Sequence, residues 1–277
     1  MKQADLHVFP TFPAYYTFTD KLGWYSLRVF CGSVLFFLLL PILVIIPLSF
    51  SNSSFLSYPI PAWSLRWYHE LFASDDWARA ARNSFIVAPL ATLIATFLGT
   101  LAAVGLARIQ FFGKGLLTSL LIAPMVVPIV VVGVSTYLLF ARIGLSDSYT
   151  GLVLVHAALG APFVVTTVMA TLQNFNQNLV KASLSLGAGP FQTFFRVTLP
   201  VIAPGVISGA LFAFATSFDE VVVVLFLAGP TQTTLPRQMF TGIRENISPT
   251  IAAVATLLII FTALLLMTLE WLRGRAR

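Results

Sequence analysis

Two adjacent acids, Asp219 and Glu220, interrupt the apolar run 201–228, and the seven residues after them are VVVVLFL. A carboxylate at the centre of a membrane helix costs about 2.5–3.5 kcal/mol. The Val, Leu and Phe side chains that follow return roughly 2–4 kcal/mol together. The neighbours therefore do not offset the pair, which needs water or a partner. At about 1.5 Å per residue, Asp219 stands about 27 Å along a helix from Val201, past the midplane. At about 100° per residue, Thr216, Ser217, Asp219 and Glu220 share an arc of about 160°, with Phe214, Phe218 and Val222 opposite. Two readings fit: a cation-attracting wall of a translocation pathway, or a structural pair held by backbone donors or by an arginine from another helix.

The second chemically distinct stretch is LVKASLSLGAGPFQTFFRVTLP, residues 179–200, a polar segment broken by Gly and Pro between two oily runs. Asn178 suits a helix N-cap, and LVKASLSL then gives two turns that Gly187 can close in the left-handed conformation. A second start follows, with Gly189 as cap, Pro190 at the first helical position and FQTFFRV after it. Phe191, Phe194 and Phe195 fall at i, i+3 and i+4 and are expected to share one face. Leu199-Pro200 is expected to end this unit and open the next span. The expected product is two short helices around a Gly-Ala-Gly-Pro corner. An exposed face of three Phe either docks a soluble partner, at roughly 1.5–3 kcal/mol per buried ring, or lies flat on lipid.

Other reactive residue types stand alone. His156 has no second His at ligand spacing and reads as a hydrogen-bonded packing residue; no metal cluster is visible. Cys31 is the sole cysteine, so no internal disulfide forms, and it reads as inert packing. The stretch FFGKGLL has Gly113 and Lys114 but neither the first glycine nor the hydroxyl of a phosphate-binding GxxxxGK[ST] loop. No nucleophile–base set is present. The chain is not expected to be an enzyme or to hydrolyse ATP by itself.

These features must be placed by membrane helices. The chain is 58% hydrophobic and 9% charged, with a mean hydropathy of +0.90. Runs near 20 residues are long enough to span a hydrocarbon core of about 30 Å as helices. Six are marked: 29–50, 83–107, 115–140, 151–172, 201–228 and 250–269. They are continuous rather than alternating, which argues against a closed barrel. The expected fold is an all-α polytopic membrane protein with six transmembrane helices and a cytoplasmic helical hairpin between spans four and five.

The net charge of +6 lies in basic residues beside the spans, so it speaks for orientation rather than for nucleic acid. With both termini cytoplasmic, ten of the sixteen Lys and Arg face inward, among them Lys21, Arg28, Arg108, Lys114, Lys181 and Arg196 with Arg273, Arg275 and Arg277. The expected organisation is a cytoplasmic segment 1–28, irregular or interfacial; a first span with a periplasmic loop, 29–82; and a transmembrane core 83–277 with the hairpin region 173–200. The first run, with Pro41 and Pro47, reads as a retained span rather than a signal peptide. In the loop, SLRWYHELF suggests a short interfacial helix capped by Ser64 with an Arg66–Glu70 pair. Trp63, Trp67 and Trp77 suit a membrane–water boundary, the alternative being contact with a partner outside the membrane. Pro89, Pro124, Pro128 and Pro162 permit bends. Gly205 and Gly209, one turn apart, permit close helix contact.

The stretch KASLSLGAGPFQTFFRVTLP resembles the cytoplasmic coupling-loop motif of ABC importer permeases: EAA, three residues, G, nine residues, I, one residue, LP. Ala182, Gly187, Val197, Leu199 and Pro200 fall at matching places. Lys181 stands where the motif has an acid, and Ser183 where it has Ala. The resemblance runs from about Asn83 to the C-terminus. NSFIVAPLATLIATFLGTLAAVGLAR is similar to the family's opening span, and SFDEVVVVLFLAGPTQTTLP followed by SPTIAAVATLLI resembles the second permease of the spermidine/putrescine subgroup. The resemblance implies a second permease subunit in a heterodimer, two cytoplasmic ATPases that hold the ATP and magnesium, and a periplasmic substrate-binding protein, in the bacterial inner membrane. It implies that Lys181, Ala182, Gly187, Gly189, Pro190, Phe191, Phe194, Phe195, Arg196, Leu199 and Pro200 form the ATPase-coupling element. It favours Thr216, Ser217, Asp219 and Glu220 as pathway residues, and a polyamine as cargo moved by alternating access. Agmatine and 4-aminobutyrate are the alternative amines. A self-contained cation-coupled secondary transporter is the rival class; it needs no ATPase socket.

Overall fold

The computed structural model describes Phe12, Tyr15, residues 17–245 and residues 248–275, with side chains described up to Thr268. It is all-α. Among the described residues, five helices are long and apolar enough to cross a membrane, and a sixth span is reached if one sharply bent helix pair counts as one. The chain divides into two compact units, one holding Met1–His69 with Ser248–Arg277, the other Glu70–Ile247.

In the first unit, α1 (Phe18–Leu48) packs against α12 (Thr250–Arg275). Helix α1 begins eleven residues before the expected span start at 29, so 18–28 are helical rather than irregular; most of 1–17 lies outside the described residues. The cause is local. The Thr17 hydroxyl accepts from the Asp20 N–H, and the Asp20 carboxylate accepts from the Thr17 N–H, a reciprocal capping box. The added turns carry charge that rests on rings, with Arg28 3.6 Å from the Trp24 ring centre. Cys31 is exposed on α1 rather than packed. In the following loop the Ser64 hydroxyl accepts from the Arg66 N–H, capping α2 (Arg66–Ala73) as expected. Trp63 is exposed, as a boundary residue should be, whereas Trp67 is buried and its Nε1 donates to the Ser51 carbonyl at 2.7 Å. A buried indole with its N–H satisfied packs the loop and does not anchor it in lipid.

The second unit is built on α3 (Asp75–Arg108), α6 (Tyr149–Gln173) and α9 (Leu199–Phe218). Small residues set their spacing. A Cβ on Gly160 would stand 3.0 Å from Ala213 Cβ and 3.4 Å from Ala95 Cβ; one on Gly99 would stand 2.8 Å from Val164 Cβ. Gly205 abuts Thr171, and a Cβ on Gly209 would lie 2.7 Å from Val164 Cα, so the expected close approach at these two glycines is realised. The pairings 95–160 and 99–164 run in the same direction, while 160–213, 164–209 and 171–205 run oppositely. Helices α3 and α6 are therefore parallel and α9 antiparallel to both. Val87, Leu152, Val164, Val168, Ile202 and Val223 fill the core.

Between α3 and α6 the expected third span is broken. Helix α4 (Lys114–Ile122) and a short 3₁₀ turn (Ala123–Met125) meet α5 (Ile129–Ile143) at 98°. Pro124 and Pro128 stand at the corner. Each lacks an N–H and constrains the residue before it, so two prolines four apart stop the helix rather than merely bend it.

Candidate functional site

The hairpin starts after α6. Helix α7 (Asn178–Ser185) is capped by the Asn176 side chain, whose Oδ1 accepts from the Asn178 N–H at 3.0 Å, so the capping residue lies two positions before the expected one. Gly187 has φ +86 and closes α7 as expected. Gly189 is extended, and Pro190 opens α8 (Pro190–Thr193). The Ser183 and Thr193 hydroxyls, 3.0 Å apart, tie the two arms together.

The expected stop at Leu199-Pro200 does not occur. Helix α8 passes through a π turn (Phe194–Thr198), in which the Leu199 N–H reaches the Phe194 carbonyl five residues back, and continues into α9. Pro200 has no N–H to give the Arg196 carbonyl, and the widened turn accommodates that loss without ending the helix. The hairpin's second arm and the membrane span are one helical rod, Pro190–Phe218.

The three rings do not share one exposed face. Phe191 is 81% and Phe195 60% exposed, whereas Phe194 turns inward against the core and meets Phe195 edge-on at 5.1 Å. The exposed surface is therefore Phe191 and Phe195, with Leu186 at the corner, 88% exposed. Lys181, Ala182, Gly187, Gly189, Pro190 and Arg196 are exposed on the same hairpin, and Leu199 is half-buried beside the core.

At the far end of α9 the helix stops at Phe218 instead of running to 228. Asp219 is its C-cap, with ψ 0, and a new helix α10 (Val222–Leu227) follows. The Glu220 carboxylate accepts from the Val223 N–H at 2.8 Å, acting as a local cap for α10. The continuous arc expected for Thr216, Ser217, Asp219 and Glu220 is thus divided. Ser217 is buried, with its Oγ 2.8 Å from His156 Nδ1; Thr216 and Glu220 are half-buried; Asp219 is exposed. His156 fits its packing reading, joining α6 to α9. A break at two acids relieves the cost of carrying both inside one apolar helix and frees the last carbonyls of α9 beside them.

Above the acids lies a polar knot that sequence reasoning did not single out. Asn83 Nδ2 donates to the Thr231 and Thr233 carbonyls at 2.9 and 2.8 Å, and the Tyr149 hydroxyl donates to Asn83 Oδ1 at 2.7 Å. The Leu235 N–H donates to the Ser84 hydroxyl at 2.8 Å. Arg237, on α11 (Leu235–Glu245), donates to the Ala228 and Gly229 carbonyls. Burial holds its guanidinium below the ordinary arginine range, with the Asp147 carboxylate acting in the opposite direction. The knot binds the starts of α3 and α6 to the loop after α10, so it lies at the end of the bundle opposite the hairpin. An Asn in the first turn of an oily run was the available signal.

The comparisons with known proteins agree with this architecture. The family model described as "Binding-protein-dependent transport system inner membrane component" matches residues 95–276. The chain is 36% identical over 230 residues to the putrescine transport system permease protein PotI of Escherichia coli (strain K12), covering 80% of this chain and 82% of that one. It is 31% identical over 233 residues to the spermidine/putrescine transport system permease protein PotC of the same strain, covering 84% and 88%. A crystal structure of a bacterial ABC transporter involved in the import of the acidic polysaccharide alginate contains a chain of the same fold, with a TM-score of 0.73 at 14% identity, over 95% of this chain and 99% of that one. The chain belongs to the family of inner-membrane components of binding-protein-dependent transport systems, as a multi-pass ABC importer permease subunit.

Proposed function

We propose that this chain is one of two permease subunits of an ATP-driven importer of polyamines or related small amines, working with two cytoplasmic ATPases and a periplasmic binding protein. ATP and magnesium belong to the ATPases. The hairpin end faces the cytoplasm, and its exposed tip, Phe191, Phe195 and Leu186, inserts into an ATPase cleft. This tip carries the proposal: large apolar side chains held out on a built, hydrogen-bonded corner need a cover. Lys181, Ala182, Gly187, Gly189, Pro190 and Arg196 shape the inserted surface, Phe194 seats it on the core, and Leu199 and Pro200 join it to the span. The substrate reading rests on the names of PotI and PotC and on Asp219 and Glu220 at the helix break, where negative charge and free helix carbonyls suit an ammonium group.

The test is Phe191→Ala with Phe195→Ala, leaving Phe194 in place. Burying both rings contributes up to roughly 3–6 kcal/mol, so ATPase retention should fall at least about a hundredfold. Membrane insertion and helix content should be unchanged. Full retention of the ATPases would refute docking and leave the tip lying on the lipid surface.

A further inference from the structure

A groove of about 610 Å³ runs along one face of α4. Its lining changes character in order along the chain. Gln110, Lys114 and Gly115 come first, the hydroxyls of Thr118 and Ser119 next, and Ile122 and Val126 last. The positions 110, 114, 118, 122 and 126 recur every four residues, so the first part of the stripe follows one face of the helix and the last part leads to the bend.

The surroundings are oily. Leu116 is 78%, Leu120 68% and Val126 79% exposed, and Phe111 and Phe112 are exposed on the loop before α4. In a membrane protein such a surface meets lipid chains wherever no partner subunit covers it. Lys114 is half-buried in the groove, and among the described residues no carboxylate lies within ion-pair distance of it. An unpaired ammonium at one end of a groove selects an anion, and Ile and Val at the other end select hydrocarbon. The loop also begins at the end of α3 that lies with the hairpin, the side expected to be cytoplasmic, where basic pockets meet acidic headgroups.

We propose that this groove is a binding site for one acidic phospholipid. Its phosphate sits at Lys114 and Gln110, and an acyl chain passes Thr118 and lies on Ile122 and Val126. The lipid would brace α4 beside the 98° corner, so the site is a place where membrane composition can act on the broken span. The proposal is independent of the substrate.

The full-length protein would be reconstituted in nanodiscs of phosphatidylglycerol or of phosphatidylcholine, extracted into mild detergent and weighed intact by native mass spectrometry. One phosphatidylglycerol should stay bound at least fivefold more often than phosphatidylcholine. Lys114→Gln keeps the stem and should abolish that preference. Gly115→Leu should lower retention of both lipids by filling the groove; the position is exposed, and a Cβ there meets nothing within 4 Å. Arg142→Gln, on the last turn of α5, should change nothing. Equal retention of the two lipids by the wild-type protein, needing no variant, would overturn the proposal. So would displacement of the lipid by millimolar inorganic phosphate, which would make this a site for a free anion. A photo-cross-linking residue at Ser119 should capture lipid in membranes; capture of a second protein chain instead would overturn it as well.

Discussion

Gly205 and Gly209 both hold α9 against α6, yet their substitutions should be repaired differently. A methyl on Gly205 collides first with Thr171 Oγ1, the movable end of a side chain, and then meets the Thr167 carbonyl at 3.0 Å. A methyl on Gly209 meets Thr167 Oγ1 at 2.5 Å and also Val164 Cα at 2.7 Å, which is backbone and cannot retract alone. Overpacking of this kind costs about 1–3 kcal/mol, roughly a 5- to 150-fold change in the unfolding equilibrium. Gly205→Ala should therefore lose about 1–3 kcal/mol, and Thr171→Ala added to it should recover most of the loss, a coupling of at least about 1 kcal/mol. Gly209→Ala should lose at least as much, and Thr167→Ala should recover less than half. The measurement is unfolding of the purified chain in mixed micelles, followed by helical circular dichroism against increasing denaturing detergent, for the four single and two double variants. Equal rescue in both cycles, or a harmless Gly209→Ala, would refute the argument that backbone contact sets the α6–α9 distance.

Three further outcomes follow from the site. Asp219→Asn with Glu220→Gln keeps an acceptor for the Val223 N–H, so assembly and basal ATP hydrolysis should persist; a carboxylate about 6 Å from a dication in a water-like dielectric contributes about 1.4 kcal/mol, so dication uptake should fall at least about tenfold while a zwitterion suffers less. Loss of folding would instead make the acids structural, and unchanged uptake would remove them from transport. Reporter fusions after Ser146 and Asn178, on opposite ends of α6, should report outside and inside respectively, and the same side for both would end the six-span topology with cytoplasmic termini. Lys181→Glu should not improve coupling of transport to ATP hydrolysis, because the proposed ATPase contact of the exposed Lys181 is expected to be acidic or neutral; an improvement would mean that the partner keeps a basic contact.

The parts of the structure legible in the sequence were those fixed by short-range chemistry. Continuous apolar length identified the spans, and the Gly187 turn and Pro190 start were read from local conformational limits. Gly205 and Gly209 announced a close contact by their spacing. What escaped reading was set by several constraints acting at once. One proline permits a bend, but Pro124 and Pro128 together produced a corner. The Leu199-Pro200 pair read as a stop, because the compensating π turn depends on how Thr193, Phe194 and Thr198 seat in the core. Helical periodicity carried the run 201–228 through two acids, although a break there costs less than burying both in one helix. The Asn83–Tyr149–Thr231 knot joins residues up to 148 positions apart, and no local pattern announces such pairs.

The uninterrupted rod from Pro190 to Phe218, 29 residues, is about 43 Å long. It approaches α6 most closely near its middle, at Gly205 and Gly209, touches it again at Ala213 and Ser217, and is joined by short turns to α7 and α10. Pivoted at the two glycines, such a member would be a lever with its fulcrum inside the bilayer. Phe191 stands about 24 Å on one side of that fulcrum and Asp219 about 18 Å on the other. A tilt of about 10° about that point would move the aromatic tip by about 4 Å and the acid end by about 3 Å in the opposite sense. Under the proposed function, inclination alone would carry motion between the two ends, without sliding of the helix along its axis. The gearing between the two ends is written in where the two glycines fall along the helix.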